Sequence, residues 1–150
     1  MSTTQKSNDI VGTMAEWFDK FPQLPKNGRD TLAKISPWIA LIFGILGVLV
    51  GISGLGVLTF LAPLSFLGGA ADAANYGSGI IVTLIYLVGS VLLLASYPGL
   101  KARKYSGWNL LFWSEVVHLV GGLIALSFIS TIIWALIAFY LLFQIRSYFK

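Results

Sequence analysis

The chain has no cysteine. Disulfides, thiolate nucleophiles, Cys-ligated metal and dithiol redox chemistry are excluded together, and so are quinone-linked thiol oxidoreductases, which need a Cys-x-x-Cys pair. Histidine occurs once, at His118. A metal site built from Glu115-x-x-His118 therefore finds no second histidine and no second carboxylate within the apolar stretches, and no metal is expected. There is no G-x-S-x-G elbow, and neither Gly68-Gly69 nor Gly121-Gly122 belongs to a phosphate loop with a following Lys. The sequence is accordingly read as non-enzymatic and without a cofactor.

Charge is the other scarce commodity, at 11% of residues against 57% hydrophobic. Residues 35–71 and 73–100 contain no Asp, Glu, Lys or Arg, and residues 105–145 contain only Glu115. A soluble domain does not tolerate such stretches. A helix rises ~1.5 Å per residue and needs about 20 apolar residues to cross the hydrocarbon layer, so the three stretches hold about one, one and two crossings. The expected fold is all-α: an integral membrane four-helix bundle preceded by an N-terminal amphipathic interfacial helix.

Residues 1–35 form a separate N-terminal segment. Ile10, Val11, Met14, Trp17, Phe18 and Phe21 recur at helical spacing, with Ser7 or Asn8 as N-cap and Pro22 as terminator, so a helix is expected over 8–21. It either lies in the membrane interface or packs under the bundle or on a partner. Asp30 is a candidate cap for the lead into the first span. The membrane domain, 36–150, divides into spans at about 36–60, 79–97, 108–127 and 131–147. Pro37 falls in the first turn of span 1, and Pro98-Gly99 closes span 2. Residues 61–78 read as an outer loop that dips toward the interface through Leu64, Phe66 and Leu67. The small residues around Asp72 resemble a cleavage site, but span 1 is longer than a signal core and lies far from the start, so it is expected to stay. Spans 3 and 4 share one apolar run, whose only polar spot, Ser127 to Thr131, marks a tight reversal near Ile129.

All ten basic residues fall on one side of this topology: Lys6, Lys20, Lys26, Arg29 and Lys34 before span 1, Lys101, Arg103 and Lys104 between spans 2 and 3, and Arg146 and Lys150 at the end. The positive-inside bias places both termini in the cytoplasm, in a multi-pass protein of the inner or plasma membrane. The net charge of +4 then points to anionic inner-leaflet headgroups, contacted through Lys101, Arg103 and Lys104, and not to nucleic acid.

Two features inside the spans carry the functional expectation. Gly44, Gly47, Gly51 and Gly54 form a stripe on span 1 where another helix can approach closely. Glu115, the only charge in its stretch, shares a helix face with His118, and a reversal near Ile129 would set Glu115 level with Gln144 and His118 level with Tyr140. Ser90 and Tyr86 reach matching depth on span 2, so a buried polar cluster of Glu115, His118, Tyr140, Gln144, Ser90 and Tyr86 is expected in the cytoplasmic half. Such a cluster either fixes helix register by hydrogen bonding or exchanges protons, because desolvation brings a carboxyl's titration toward that of imidazole. The first role suits an accessory or assembly subunit that packs with a membrane partner or a second copy of itself. The second suits a small oligomeric proton-coupled transporter or channel.

Overall fold

The computed structural model describes residues 3–150 and, of their side chains, those of 10–65, 67–69 and 72–150. The side chain of Phe66 and those of Ser7 and Asn8, invoked above as anchor and caps, lie outside that set. The chain is all-helical: α1 (Thr3–Phe18), α2 (Lys26–Leu67), α3 (Ala70–Lys101), α4 (Tyr105–Ile124), α5 (Phe128–Ile145) and a 3-10 turn, Arg146–Tyr148. Three of these, α2, α3 and α5, are long and apolar enough to cross a membrane. The 20-residue α4 carries Asn109, Ser114, Glu115 and His118 and is not among the three.

The long helices pack as sequence neighbours, α2 on α3 and α3 on α4, while α5 lies more lightly against α4 and touches α2. Glycine sets the register of each seam. A Cβ on Gly44, Gly47 or Gly51 would run into Leu94, Ser90 or Leu87, at 2.7, 2.2 and 2.8 Å, and one on Gly54 would just touch Thr83. The stripe thus faces α3, and α2 and α3 run antiparallel. On the next seam Gly99 and Gly107 bring two backbones together: a Cβ on Gly107 would sit 2.3 Å from the Gly99 carbonyl carbon. With no hydrophobic drive between helices in lipid, close backbone approach of this kind is a main source of association energy.

Two tight turns complete the antiparallel order. After α3, the Lys104 N–H donates to Gly99 O and Arg103 N–H to Leu100 O; after α4, Ser127 N–H donates to Gly122 O and Leu126 N–H to Leu123 O. Both are Schellman closures, yet the left-handed position is filled by Arg103 (φ 55°) and Leu126 (φ 58°) in place of the usual glycine. Each non-glycine residue in that region costs of order 1–2 kcal/mol. The reversal falls at 125–127, earlier than expected. Consequently Phe112 packs on Phe139 and Phe143, Trp108 on Phe143, and Gly122 on Thr131. This displaces α5 by about one and a half turns from the expected pairing.

The structure corrects several boundaries. Residues 61–78 are not a loop: α2 continues through Pro63 to Leu67, and only Gly68 and Gly69 separate it from α3. Leu64 and Leu67 are exposed on helix, and Gly69 takes φ 89° at the turn. Asp72 lies in the first turn of α3, where a negative charge suits the positive end of the helix dipole. Pro37 lies well inside α2, because that helix starts at Lys26. Its missing N–H leaves the Ala33 carbonyl free, and the Ser36 hydroxyl donates to it at 3.2 Å. Likewise α3 carries Pro98 and Gly99 within it and ends at Lys101. Pro25, not Asp30, precedes α2, and the Asp30 carboxylate accepts from the Tyr148 hydroxyl. Helix α1 begins and ends earlier than 8–21.

Burial is concentrated at the end that holds both termini and the α3–α4 turn. Val11, Ala33, Leu100, Trp108, Phe112, Phe139, Leu142, Ile145 and Phe149 make up most of the core there. Helix α1 docks on this end through Val11, Met14 and Phe18, with Phe18 stacked on Phe143 at 5.2 Å, while Ile10 and Trp17 on its other apolar stripe stay exposed. Tyr105 N–H donates to Lys150 O and Lys150 N–H to Arg103 O, which ties the C-terminus to the same turn.

Candidate functional site

The six polar residues expected together separate into three places. Tyr86, Glu115 and His118 line one cleft of about 330 Å³ between α3, α4 and α5. The His118 ring stacks on Tyr86, centroids 5.6 Å apart and 29° between planes. Glycine again makes the space: a Cβ on Gly89 would meet His118 Nε2 at 2.7 Å, and one on Gly121 would crowd Ile85 and Tyr86. Glu115 sits one turn before His118 on the same wall. From these residues the cleft runs along Thr131, Ser130 and Ser127 to the α4–α5 turn, with Trp134 on its flank.

Tyr140 and Gln144 belong elsewhere. The Tyr140 hydroxyl donates to Pro22 O, and Gln144 Oε1 accepts from Leu24 N–H at 3.2 Å. Together with the Tyr148–Asp30 bond they clamp residues 22–30 to the end of the chain. The physical reason is the earlier reversal, which carries both residues past Glu115 toward the terminal end. Ser90 is also outside the cleft lining, because its hydroxyl donates to Tyr86 O at 2.8 Å and it packs on Gly47 in the α2–α3 seam. The cleft therefore lies in the half of the molecule away from the termini, not the half expected to be cytoplasmic.

Toward the terminal end from the cleft, α4 and α5 meet through aromatic side chains that are not part of its lining. Trp108 stacks on Phe112 at 5.8 Å, and Phe112 meets Phe139 at 5.5 Å and Phe143 at 6.0 Å. Trp108 and Phe112 are fully buried. The indole N–H of Trp108 donates to Leu142 O at 2.9 Å, which satisfies one of the last carbonyls of α5, a group with no partner in its own helix.

The basic residues of the α3–α4 turn play unequal parts. Lys101 and Lys104 are exposed, Lys101 with its ammonium 5.7 Å from the Tyr97 ring. Arg103 is half-buried over Phe149 at 5.6 Å, with Nη1 buried and unpaired. Sequence reasoning missed Gly89, Gly121 and Trp134 as cleft-makers. The run Ser127 to Thr131 did signal polarity, but as a turn and not as a wall. Among the described residues no group of three His, Asp or Glu side chains is placed to hold a metal ion. Comparison with family models, curated proteins and solved structures finds no match.

Proposed function

We propose that the chain is a multi-pass protein of the inner or plasma membrane. In this reading α2–α5 act as a four-helix bundle, both termini are cytoplasmic, and the protein serves as a non-enzymatic accessory or assembly subunit. The three long apolar helices and the gathering of all ten basic residues toward the terminal end support the topology. One observation carries the functional part: the ionisable pair Glu115–His118 lies in a cleft open along one side, on a face otherwise flanked by exposed Trp134 and Ile133. Ionisable groups at membrane depth almost always face a bundle interior or a watery cavity. A helix of a partner, or of a second copy, that lies over α4 and α5 would turn this side cleft into such an interior. Contact with anionic inner-leaflet headgroups through Lys101 and Lys104 would hold the other end.

Purification from native membranes in mild detergent tests this reading. The wild-type chain should emerge as a stoichiometric complex, and Trp134→Lys or Ile133→Arg, placed on the exposed flank, should release it as a monomer that is still folded. Recovery of the wild type as a lone monomer would refute the assembly role. For topology, the cysteine-free chain permits Asp72→Cys and Ala102→Cys: an impermeant thiol reagent should reach the first from outside and the second only from inside.

The polar track from the α4–α5 turn down to Glu115 favours a second reading, an oligomeric proton-coupled transporter or channel. Four helices leave little room for a pathway within one subunit, so conduction would need a neighbour's surface. Glu115→Gln in proteoliposomes should then abolish pH-driven flux with assembly intact. Unaltered flux in Glu115→Gln and His118→Ala would remove the transport reading and leave the assembly one.

A further inference from the structure

A second cavity, of about 430 Å³, lies at the terminal end between α1, the segment before α2 and the end of the chain. Its polar lining includes Arg29, Arg146, Gln23, Gln144 and Tyr105, with the exposed Asp19 just after α1. Two guanidinium groups reach it from opposite ends of the sequence, and each is held in place. Arg29 donates from Nη1 to Gln23 Oε1 at 3.2 Å, and Arg146 lies over the Trp108 ring at 5.4 Å. Yet Arg29 Nε is buried with no hydrogen-bond partner. A buried N–H of a charged group left without an acceptor carries a desolvation penalty that an anionic oxygen would remove. The cavity falls in the size range of small-molecule sites, roughly 300–1,000 Å³. Guanidinium forks bind carboxylate and phosphate oxygens alike, and a phosphate, with its larger set of oxygens, can accept from two forks that reach the cavity from different elements.

We infer that this cavity binds a phosphate group, carried either by a phospholipid headgroup or as free inorganic phosphate. The Asp19 carboxylate opposes an anion, so the two arginines leave a single net positive charge, which suits a singly charged phosphodiester better than a dianion. In the topology proposed above the cavity opens at the level of the inner headgroups, which brings the lipid within reach; the phosphate chemistry itself is independent of the Glu115 cleft and of any partner over it.

The test uses the full chain in non-ionic detergent and three probes, read by native mass spectrometry and thermal shift: inorganic phosphate, phosphatidylglycerol in mixed micelles, and a phosphate-free glycosyl diacylglycerol in the same micelles. At least one phosphate probe should bind saturably and the glycolipid should not. Binding of phosphatidylglycerol alone assigns the site to lipid, and binding of inorganic phosphate assigns it to the free anion. Arg29→Gln and Arg146→Gln should each weaken binding by about tenfold or more, whereas Lys104→Gln, which removes an exposed charge, should weaken it by less than about threefold. If Arg29→Gln does not fold, Arg146→Gln and the charge-keeping Arg29→Lys carry the comparison. The inference is overturned by absence of saturable binding to both phosphate probes, by equal binding of the glycolipid, or by equal weakening in Lys104→Gln.

Discussion

The two ends of this molecule are built on different physical principles. At the terminal end, aromatic side chains interlock, α1 stacks Phe18 on Phe143, long-range hydrogen bonds tie Pro22 and Leu24 to α5, and Trp108 and Phe112 are sealed from any solvent. At the far end, α5 exposes Phe128, Ile129, Ile132, Ile133 and Trp134, and α2 exposes Phe60, Leu64 and Leu67. The first end resembles the core of a soluble protein. The second has no comparable buried layer: Gly51 and Gly121 admit close contact with Leu87 and Ile85, His118 stacks on Tyr86, and much apolar surface stays exposed. The difference teaches that buried side-chain packing is concentrated at one end, while the other presents exposed apolar surface.

The contrast can be broken most forcefully at the α3–α4 seam. Gly107→Leu should abolish folding, because even a Cβ at that position collides with the Gly99 backbone at 2.3 Å, and overpacking against backbone finds no flexible side chain to yield. Folding yield in detergent measures it. Next, Phe112→Ala should cost about 3–5 kcal/mol, while Trp134→Ala at the far end should stay within about 0.5 kcal/mol, both read from denaturation in mixed micelles. Equal losses at the two sites would erase the distinction between the ends. Trp108→Phe keeps the ring but removes the donor to Leu142 O, and should cost about 1–2 kcal/mol. Tyr140→Phe should cost about 1 kcal/mol, chiefly as faster proteolysis of residues 19–25, since it frees the Pro22 carbonyl. The smallest effect has the opposite sign: Leu126→Gly should stabilise by up to about 1 kcal/mol by relieving the left-handed backbone at φ 58°.

Much of this architecture was legible in the sequence, and the failures have identifiable causes. Uncharged length revealed the long apolar helices, and the three- and four-residue steps of Gly44, Gly47, Gly51 and Gly54 revealed the face turned to α3. The α2–α3 connection was misread because Pro63 and Gly77 are strong breakers in water, whereas α2 and α3 carry them within the helix and only Gly68 and Gly69 interrupt it. The polar cluster failed on register. A glycine usually marks a helix end, and here Leu126 and Arg103 occupy the left-handed positions, so the reversal at 125–127 carried no local signal. A shift of a few residues was enough to send Tyr140 and Gln144 to the N-terminal segment and to leave Glu115 and His118 with Tyr86. The Arg29–Arg146 cavity was invisible because its two arginines lie at opposite ends of the chain.

The decisive contrast is between a polar cleft that runs to the α4–α5 turn and aromatic packing at the terminal end, and it can be measured with one reactive side chain. In proteoliposomes of the purified Ser130→Cys chain, sorted by orientation, an impermeant maleimide should label the cysteine when applied on the far side and leave it untouched when applied on the terminal side. Labelling from the terminal side, or protection from both, would contradict the account.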